Sequence, residues 1–236
     1  MHTFTDQNVL VVGGSSGIGL ATAQAFAAAG AKVTIASRSA GKLAEAAEAI
    51  GHGVKTVVLD TADNAAVEAL AGGQTWDHVV VSAAQTPGGP VRQLALDDAY
   101  AAMESKFWGA YRVARAANIR DGGSLTLVSG FLSVRPSATS VLQGAINAAL
   151  ESLVRGLALE LSPVRVNAVS PGVIRTPLWN GMDDSTRAAF FASAAGKLPA
   201  KRVGEPGDIA NAVLYAAGTG FTTGSTIMID GGGSIA

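Results

Sequence analysis

Short runs of consecutive apolar residues punctuate the chain, and each is followed by a longer stretch whose apolar positions recur at helical spacing. The runs Asn8 to Val12, Lys32 to Ser37, Thr56 to Asp60, His78 to Ser82, Ser124 to Ser129, Arg165 to Ser170 and Thr226 to Ile229 read as strands. Apolar residues at nearly every position, rather than every second one, predict strands covered on both faces, and parallel strands require long helical connections. The alternation predicts an α/β fold: a Rossmann-type, doubly wound parallel sheet of about seven strands flanked by helices. No repeat, linker or change of composition divides it, so residues 1–236 are expected to form a single domain. The segment 177–199 interrupts the alternation with Trp179, Phe190 and Phe191 on an expected pair of short helices. It reads as a cap over a substrate pocket, or alternatively as a surface insertion packed by its own aromatics.

Composition narrows the function. With 48% hydrophobic residues, 29 glycines and only 15% charged residues, the chain suits a buried sheet with tight turns. A formal charge of -1 with scattered basic residues argues against nucleic acid or an acidic membrane as partner. There is no cysteine, and His2, His52 and His78 form no ligand-like cluster in sequence, so no metal site is expected. The start, MHTFTDQNVL, lacks the layout of a signal peptide, and no apolar run approaches a membrane span; a cytoplasmic location is the expectation.

The first strand runs into Gly13-Gly14-Ser15-Ser16-Gly17-Ile18-Gly19 and then a helix beginning near Leu20. Glycines there let the backbone turn sharply and approach a phosphate, while the helix N-terminus supplies free N–H groups and a positive dipole end. Gly13, Ser15, Ser16, Gly17, Ile18 and Gly19 are therefore candidates for holding a pyrophosphate. About twenty residues on, where a nicotinamide-binding fold reads the adenosine ribose, stand Ser37, Arg38 and Ser39 with no carboxylate among them. Hydroxyls beside a guanidinium welcome a 2′-phosphate by charge-assisted hydrogen bonds, which points to NADP(H) over NAD(H). The alternative for Arg38 is a solvated loop charge. Asp60, with Thr61 after it, sits where a carboxylate would accept from an adenine amino group; alternatively it belongs to the cap of the helix starting around Asp63 and Asn64.

The spacing G-x-x-x-G-x-G resembles that of the short-chain dehydrogenase/reductase family, and the resemblance covers essentially the whole chain. Val12 to Gly19 matches the family's T-G-x-x-x-G-x-G with valine for threonine. Val81-Ser82-Ala83-Ala84 stands where N-N-A-G is usual, Ser170 to Thr176 matches P-G-x-x-x-T, and Thr223-Gly224 with Asp230-Gly231-Gly232 matches the C-terminal signature. The resemblance implies that Ala83, Pro171, Ile174 and Thr176 also line the cofactor, with Ile174 and Thr176 at the nicotinamide amide and the nearby phosphate. It further implies a homotetramer or homodimer built on two apolar helices, Asp97 to Asn118 and Thr139 to Leu161.

The family's chemistry is carried by an Asn, a Ser and a Tyr-x-x-x-Lys pair. By the same resemblance these positions fall on Lys106, Gly130, Gln143 and Asn147, with Ser129 and Ser133 as neighbouring hydroxyls. Gln143 and Asn147 share a helix face and can hydrogen-bond, but they cannot exchange protons. General acid catalysis of carbonyl reduction is worth about 100- to 10,000-fold, so the family's usual alcohol–ketone mechanism does not carry over unaltered. Lys106, Ser129, Gln143 and Asn147 are the candidate catalytic residues. Lys106 is expected to replace the missing charge or to donate a proton once desolvated, the alternative being a lysine that reaches solvent or pairs with Glu104 or Asp97.

Two accounts of function remain open at this point. One is an NADP(H)-dependent oxidoreductase with an atypical site, reducing small-molecule imines, iminium ions or activated carbonyls that need little proton donation from the protein. The other is a catalytically silent NADP(H)-binding protein, a pseudoenzyme or redox sensor. A ring closure templated beside the cofactor is a third idea that no residue singles out, and Arg135 and Arg175 adjoin the cleft as candidate holders of an acidic substrate.

Overall fold

Runs such as NVLVV and KVTIAS carry too many β-branched and apolar side chains for one face of a sheet, and both faces are covered. The computed structural model describes residues 3–51 and 53–236; of the histidines named above, His2 and His52 lie outside the described residues. The strands are β1 (Asn8–Val12), β2 (Lys32–Ser37), β3 (Lys55–Val58), β4 (Trp76–Val81), β5 (Ile119–Val128), β6 (Arg165–Pro171) and β7 (Thr226–Ile229). All seven lie in one parallel sheet in the order β3-β2-β1-β4-β5-β6-β7. The helices are α1 (Gly17–Ala28), α2 (Ala40–Ile50), α3 (Asn64–Ala71), α4 (Leu96–Met103), α5 (Gly109–Ala116), α6 (Val141–Glu160), α7 (Asp184–Lys197) and α8 (Pro206–Gly218).

Alternation along each strand divides the core. Val9 and Val11 of β1 face α1, α2 and α8 through Phe26, Leu43, Ile209 and Val213, whereas Leu10 and Val12 face α3, α5 and α6 through Val67, Val113 and Leu150. The helices begin where side chains meet their first free N–H groups. Ser39 accepts from Lys42 N at 3.3 Å, Asp63 from Ala66 N at 3.0 Å and Asp183 from Thr186 N at 3.0 Å, while Glu205 and Asp208 cap α8 reciprocally.

Boundaries depart from the sequence expectation in several places. β3 ends at Val58, leaving Asp60 in the following turn, and β5 begins at Ile119, which pairs with Trp76 ahead of a register shift that resumes at Ser124 opposite His78, with Arg120 paired to Asp77 of β4 across the irregularity. The helix expected from Asp97 to Asn118 is not continuous: Glu104–Trp108 forms a π-helical turn between α4 and α5, and the helix ends at Ala116. In the 177–199 segment a 3₁₀ turn, Pro177–Trp179, precedes the single longer helix α7. The exchange of neighbours between β1 and β4 leaves a crevice beyond the carboxyl ends of the strands, where open parallel sheets bind ligands.

Candidate functional site

At the crest of the sheet the β1–α1 turn meets the end of β4. Gly13 has φ +88°, and a Cβ there would lie 2.5 Å from Ala83 N, so the turn and the β4 end touch only because position 13 has no side chain. Ala83 N and Ser82 N both donate to Val12 O, at 3.1 and 2.8 Å, which fixes Ala83 beside the turn. Ser16 stands at the N-cap of α1 with an extended backbone and no side-chain capping bond, and Gly17 follows at φ +52°. The first N–H groups of α1 thus open onto the crevice without a side-chain cap from Ser16, an arrangement suited to an anion.

At the end of β2 the Ser37 hydroxyl is buried without a partner, and Arg38 Nη2 donates to Gln85 Oε1 at 2.9 Å. Gln85 is itself held, its backbone N donating to Ser105 Oγ at 2.9 Å. Ser39 accepts from Lys42 N, which leaves its hydroxyl proton free to donate. Asp60 Oδ1 accepts from Ala62 N at 3.0 Å, and Asp63, not Asp60, caps α3. Thr61 follows Asp60; its carbonyl accepts from Arg112 Nη1 at 3.4 Å. On the far side, Pro171 closes β6 and Ile174 is 5% exposed. The Ile174 carbonyl accepts from Trp179 Nε1 at 2.8 Å, and Thr176 is the N-cap of the turn that carries Trp179. Trp179, Phe190 and Phe191 pack against one another at tilted and edge-to-face angles as the segment's own small core.

The candidate catalytic residues converge from two walls. From the π-helical turn, Lys106 Nζ donates to Ser129 O at 2.7 Å and to Asn147 Oδ1 at 2.6 Å. Its alternative partner Glu104 is taken by Arg112 at 2.6 Å. A π turn adds a residue to the helical circuit and turns the side chains after it, a device frequent at functional sites, and here it sits around this lysine. Burial pulls the Lys106 pKa down from 10.5 to about 8, partly opposed by the negative charge of Glu151. Asn147, 4% exposed, lies on α6 over Gly130, where a Cβ would come 2.7 Å from its Nδ2.

The remaining two candidates are differently employed. Ser129 is 4% exposed, and its hydroxyl donates to Glu151 Oε1 at 2.9 Å, so it serves Lys106 through its carbonyl rather than by presenting its hydroxyl. Gln143 Nε2 donates to Pro87 O at 2.5 Å and Thr86 O at 3.4 Å, clasping the segment after β4, while its Oε1 is buried with no partner. Tyr111 stacks on Phe107 and meets Trp108 edge to face, Tyr100 is 67% exposed, and Tyr215 lies on α8, so none of the three tyrosines joins Lys106 and Asn147. Arg175 pairs with Glu205 at 3.0 Å and lies over the Phe191 ring, and Arg135 is held by the carbonyls of Gly233 and Ala236. Neither arginine is a free anion holder. Among the described residues no three His, Asp or Glu side chains gather as metal ligands, and no helix is long and apolar enough to cross a membrane.

Sequence reasoning missed Glu151 and Gln85. Glu151 is 7% exposed and follows Asn147 by one helical turn, so an acid on the inner face of α6 was the available signal. Gln85 had none, because its role depends on where the loop after β4 meets β2.

The profile of a family described as enoyl-(acyl carrier protein) reductase matches residues 12–234. A short-chain dehydrogenase/reductase of Stachybotrys chlorohalonatus, ATR9, is 33% identical over 98% of this chain and 98% of its own. Among solved structures, a short chain oxidoreductase from Pseudomonas aeruginosa PAO1, described as NADPH-bound and as containing an atypical catalytic center, superposes with a TM-score of 0.91 at 28% identity, covering 98% and 99% of the two chains. MalC, a reductase/Diels-Alderase from Malbranchea aurantiaca, gives 0.88 at 28% identity over 97% and 96%. With the parallel sheet, the open crevice and this full-length likeness, the chain belongs to the short-chain dehydrogenase/reductase family of oxidoreductases.

Proposed function

We propose that the chain is an NADP(H)-dependent oxidoreductase that works without the family's tyrosine–lysine pair, on imine, iminium or activated carbonyl substrates. The observation that carries this reading is the Lys106 amine, drawn into the cleft between Ser129 O and Asn147 Oδ1. The coenzyme fits the residues present: the start of α1, without a side-chain cap, and the orphaned Ser37 hydroxyl each lack a partner that it would provide. Gly13, Ser15, Ser16, Gly17, Ile18 and Gly19 would hold the pyrophosphate, Ser37, Arg38 and Ser39 the 2′-phosphate, Asp60 and Thr61 the adenine, and Ala83, Pro171, Ile174 and Thr176 the nicotinamide half. The reduced coenzyme supplies a hydride when bound.

An ammonium has three N–H donors, and two are taken by Ser129 O and Asn147 Oδ1, which leaves one for a substrate atom or the coenzyme ribose. With a pKa of about 8 the group is charged at neutral pH yet gives up its proton far more readily than an ordinary lysine, which is the condition for efficient general acid catalysis. A protonated imine already carries its positive charge and asks only to be oriented; an activated carbonyl asks for the proton that Lys106 can give. The Pseudomonas neighbour, described as containing an atypical catalytic center, supports a departure from the family's usual chemistry in this cleft, and MalC, described as a reductase, supports hydride transfer. The opposing reading, an NADP(H)-binding protein without turnover, draws on Gln143, whose amide is engaged by the loop at Pro87.

The test is NADPH binding by calorimetry, followed by NADPH oxidation over cyclic imines and activated ketones, with Lys106→Met alongside. Turnover that collapses in the variant, and that in the wild type declines as pH rises through about 8, is expected. Tight binding without turnover would favour the silent protein, and no binding of either reduced coenzyme would overturn both. We further infer a homotetramer, or failing that a homodimer, in the cytoplasm, with 177–199 capping the substrate. Supporting the assembly, Leu96, Tyr100, Trp108 and Tyr111 leave an apolar face on the α4–α5 segment open to solvent, and light scattering tests it.

A further inference from the structure

Gln143, Asn147 and Glu151 follow one another at four-residue steps along α6 and share its inner face. The first clasps a loop and the second holds Lys106. Glu151 is a carboxylate 7% exposed, and a buried charge persists only where hydrogen bonds and an opposite charge compensate its lost hydration. Its Oε1 accepts from Ser129 Oγ at 2.9 Å and from Ser133 Oγ at 2.8 Å. Ser129 is the last link before the lysine: its hydroxyl faces the carboxylate and its carbonyl faces the ammonium. One acid thereby ties the end of β5 and the 3₁₀ turn Phe131–Ser133 to α6, and does so directly behind the lysine.

We propose that Glu151 is a positioning residue: its carboxylate fixes the Ser129 turn that receives Lys106 and supplies the counter-charge that keeps this lysine an ammonium inside the cleft. The inference rests on the reductase reading above. Other charged groups on the surrounding elements are poorly placed for the task. In the π-helical turn Glu104 is neutralised by Arg112, and Asp97 and Asp98 lie in the first turn of α4, away from the lysine. The loop after β4 contributes only the exposed Arg92, residues 129–134 carry no titratable group, and Arg135 is held by the carbonyls of Gly233 and Ala236. Consistently, Glu151 is the charge that opposes the loss of hydration at Lys106.

Glu151→Gln separates the two roles, because the glutamine carbonyl still accepts from Ser129 and Ser133 while the charge is gone. The measurement is the titration of Lys106 followed by NMR of [13Cε]lysine-labelled protein, the signal being assigned by its loss in Lys106→Met. In Glu151→Gln the Lys106 midpoint should fall by about one pH unit or more. At the wild-type midpoint that leaves about a tenth of the lysine charged instead of half, roughly a fivefold loss. Ser133→Ala, which removes a hydrogen bond and keeps the charge, should leave the midpoint within about 0.3 unit, a result that a merely structural role for Glu151 does not predict. An unmoved midpoint in folded Glu151→Gln overturns the proposal. Should that variant not fold, Glu151→Asp, which draws the charge back by one methylene, should lower the midpoint by a few tenths, and no movement there is equally fatal. The titration needs no substrate: a moved midpoint in a protein that reduces nothing would sink the reductase reading alone, and turnover with an unmoved midpoint would sink only this inference.

Discussion

Substituting Gly130 by alanine adds one methyl group where the site has no room for it. The Cβ would stand 2.7 Å from Asn147 Nδ2, 3.3 Å from its Cγ and 3.4 Å from its Oδ1, so the whole carboxamide is in the way. The backbone at Gly130, φ 161° and ψ 145°, is extended and open to alanine, which confines the cost to this contact. Asn147 cannot yield freely, being 4% exposed on the inside of α6 and tied to Lys106 at 2.6 Å. Overpacking of this kind costs about 1–3 kcal/mol, and a carboxamide that swings aside instead forfeits a hydrogen bond to a charged group, worth about 1.5–3 kcal/mol. Gly130→Ala should therefore destabilise by about 1–3 kcal/mol, a fall in Tm of roughly 2–4 °C per kcal/mol for a domain this long. Asn147→Ala removes every atom that the new methyl would strike. Urea denaturation of the wild type, both single variants and the double variant gives the coupling, and the double variant should be more stable than the sum of the singles by at least about 1 kcal/mol. Costs that add within about 0.5 kcal/mol would refute the contact and, with it, the placement of Asn147 over Gly130.

Arg38→Ala should weaken NADPH binding by roughly ten- to a hundredfold, the worth of a charge-assisted hydrogen bond, while NADH binding changes little; equal losses for both would remove Arg38 from the 2′-phosphate. His78 is 3% exposed, set between Ser124 and Gln7 and stacked on Phe26, and desolvation lowers its pKa from 6.5 to about 4 despite the opposing charge of Asp77. A depressed folded-state value means that the stability due to neutral His78 is complete above pH 6.5 and is lost as pH falls toward about 4. At about 1.36 kcal/mol per unit this comes to somewhat over 3 kcal/mol, and His78→Asn should flatten that part of the curve of unfolding free energy against pH. Gln143→Ala releases the carbonyls of Thr86 and Pro87, so hydrogen exchange should quicken in residues 84–90 and not in β4; unchanged exchange would show that the clasp holds nothing.

Much of this molecule is legible from its residues, and the parts that are not share a cause. Three strands, Asn8–Val12, Lys32–Ser37 and Thr226–Ile229, coincide with their apolar runs, the first two because burial on both faces leaves nothing else to decide their ends. Ile119–Val128 starts earlier than its apolar run, since Ile119 pairs with Trp76 across a register shift and the exposed polar residues Arg120 and Asp121 fall within that irregularity. The π-helical turn is invisible in Glu104–Trp108, whose apolar spacing reads straight through as α-helix; the added residue emerges only when Lys106 finds Ser129 and Asn147 on the opposite wall. Lys106 and Asn147 come from different helices and meet at 2.6 Å. Gln143 shares the helix face of Asn147 but is diverted to Pro87, a partner that lies 56 positions away and leaves no local trace. Glu151 shares that helix face too, yet an acid one turn beyond Asn147 reads as solvated unless its burial is known.

The cation in this cleft arrives on the β4–β5 connection and rests against α6. A lysine placed at position 147 would therefore bring a second ammonium to where Lys106 Nζ already sits, 2.6 Å from the carboxamide it replaces. Like charges that close cannot both persist away from water, so one amine must deprotonate or leave. The cavity seats a single positive guest, and its two walls compete to furnish it. Rebuilding a tyrosine–lysine pair on α6 thus begins with the removal of Lys106, and no one substitution leads from either arrangement to the other.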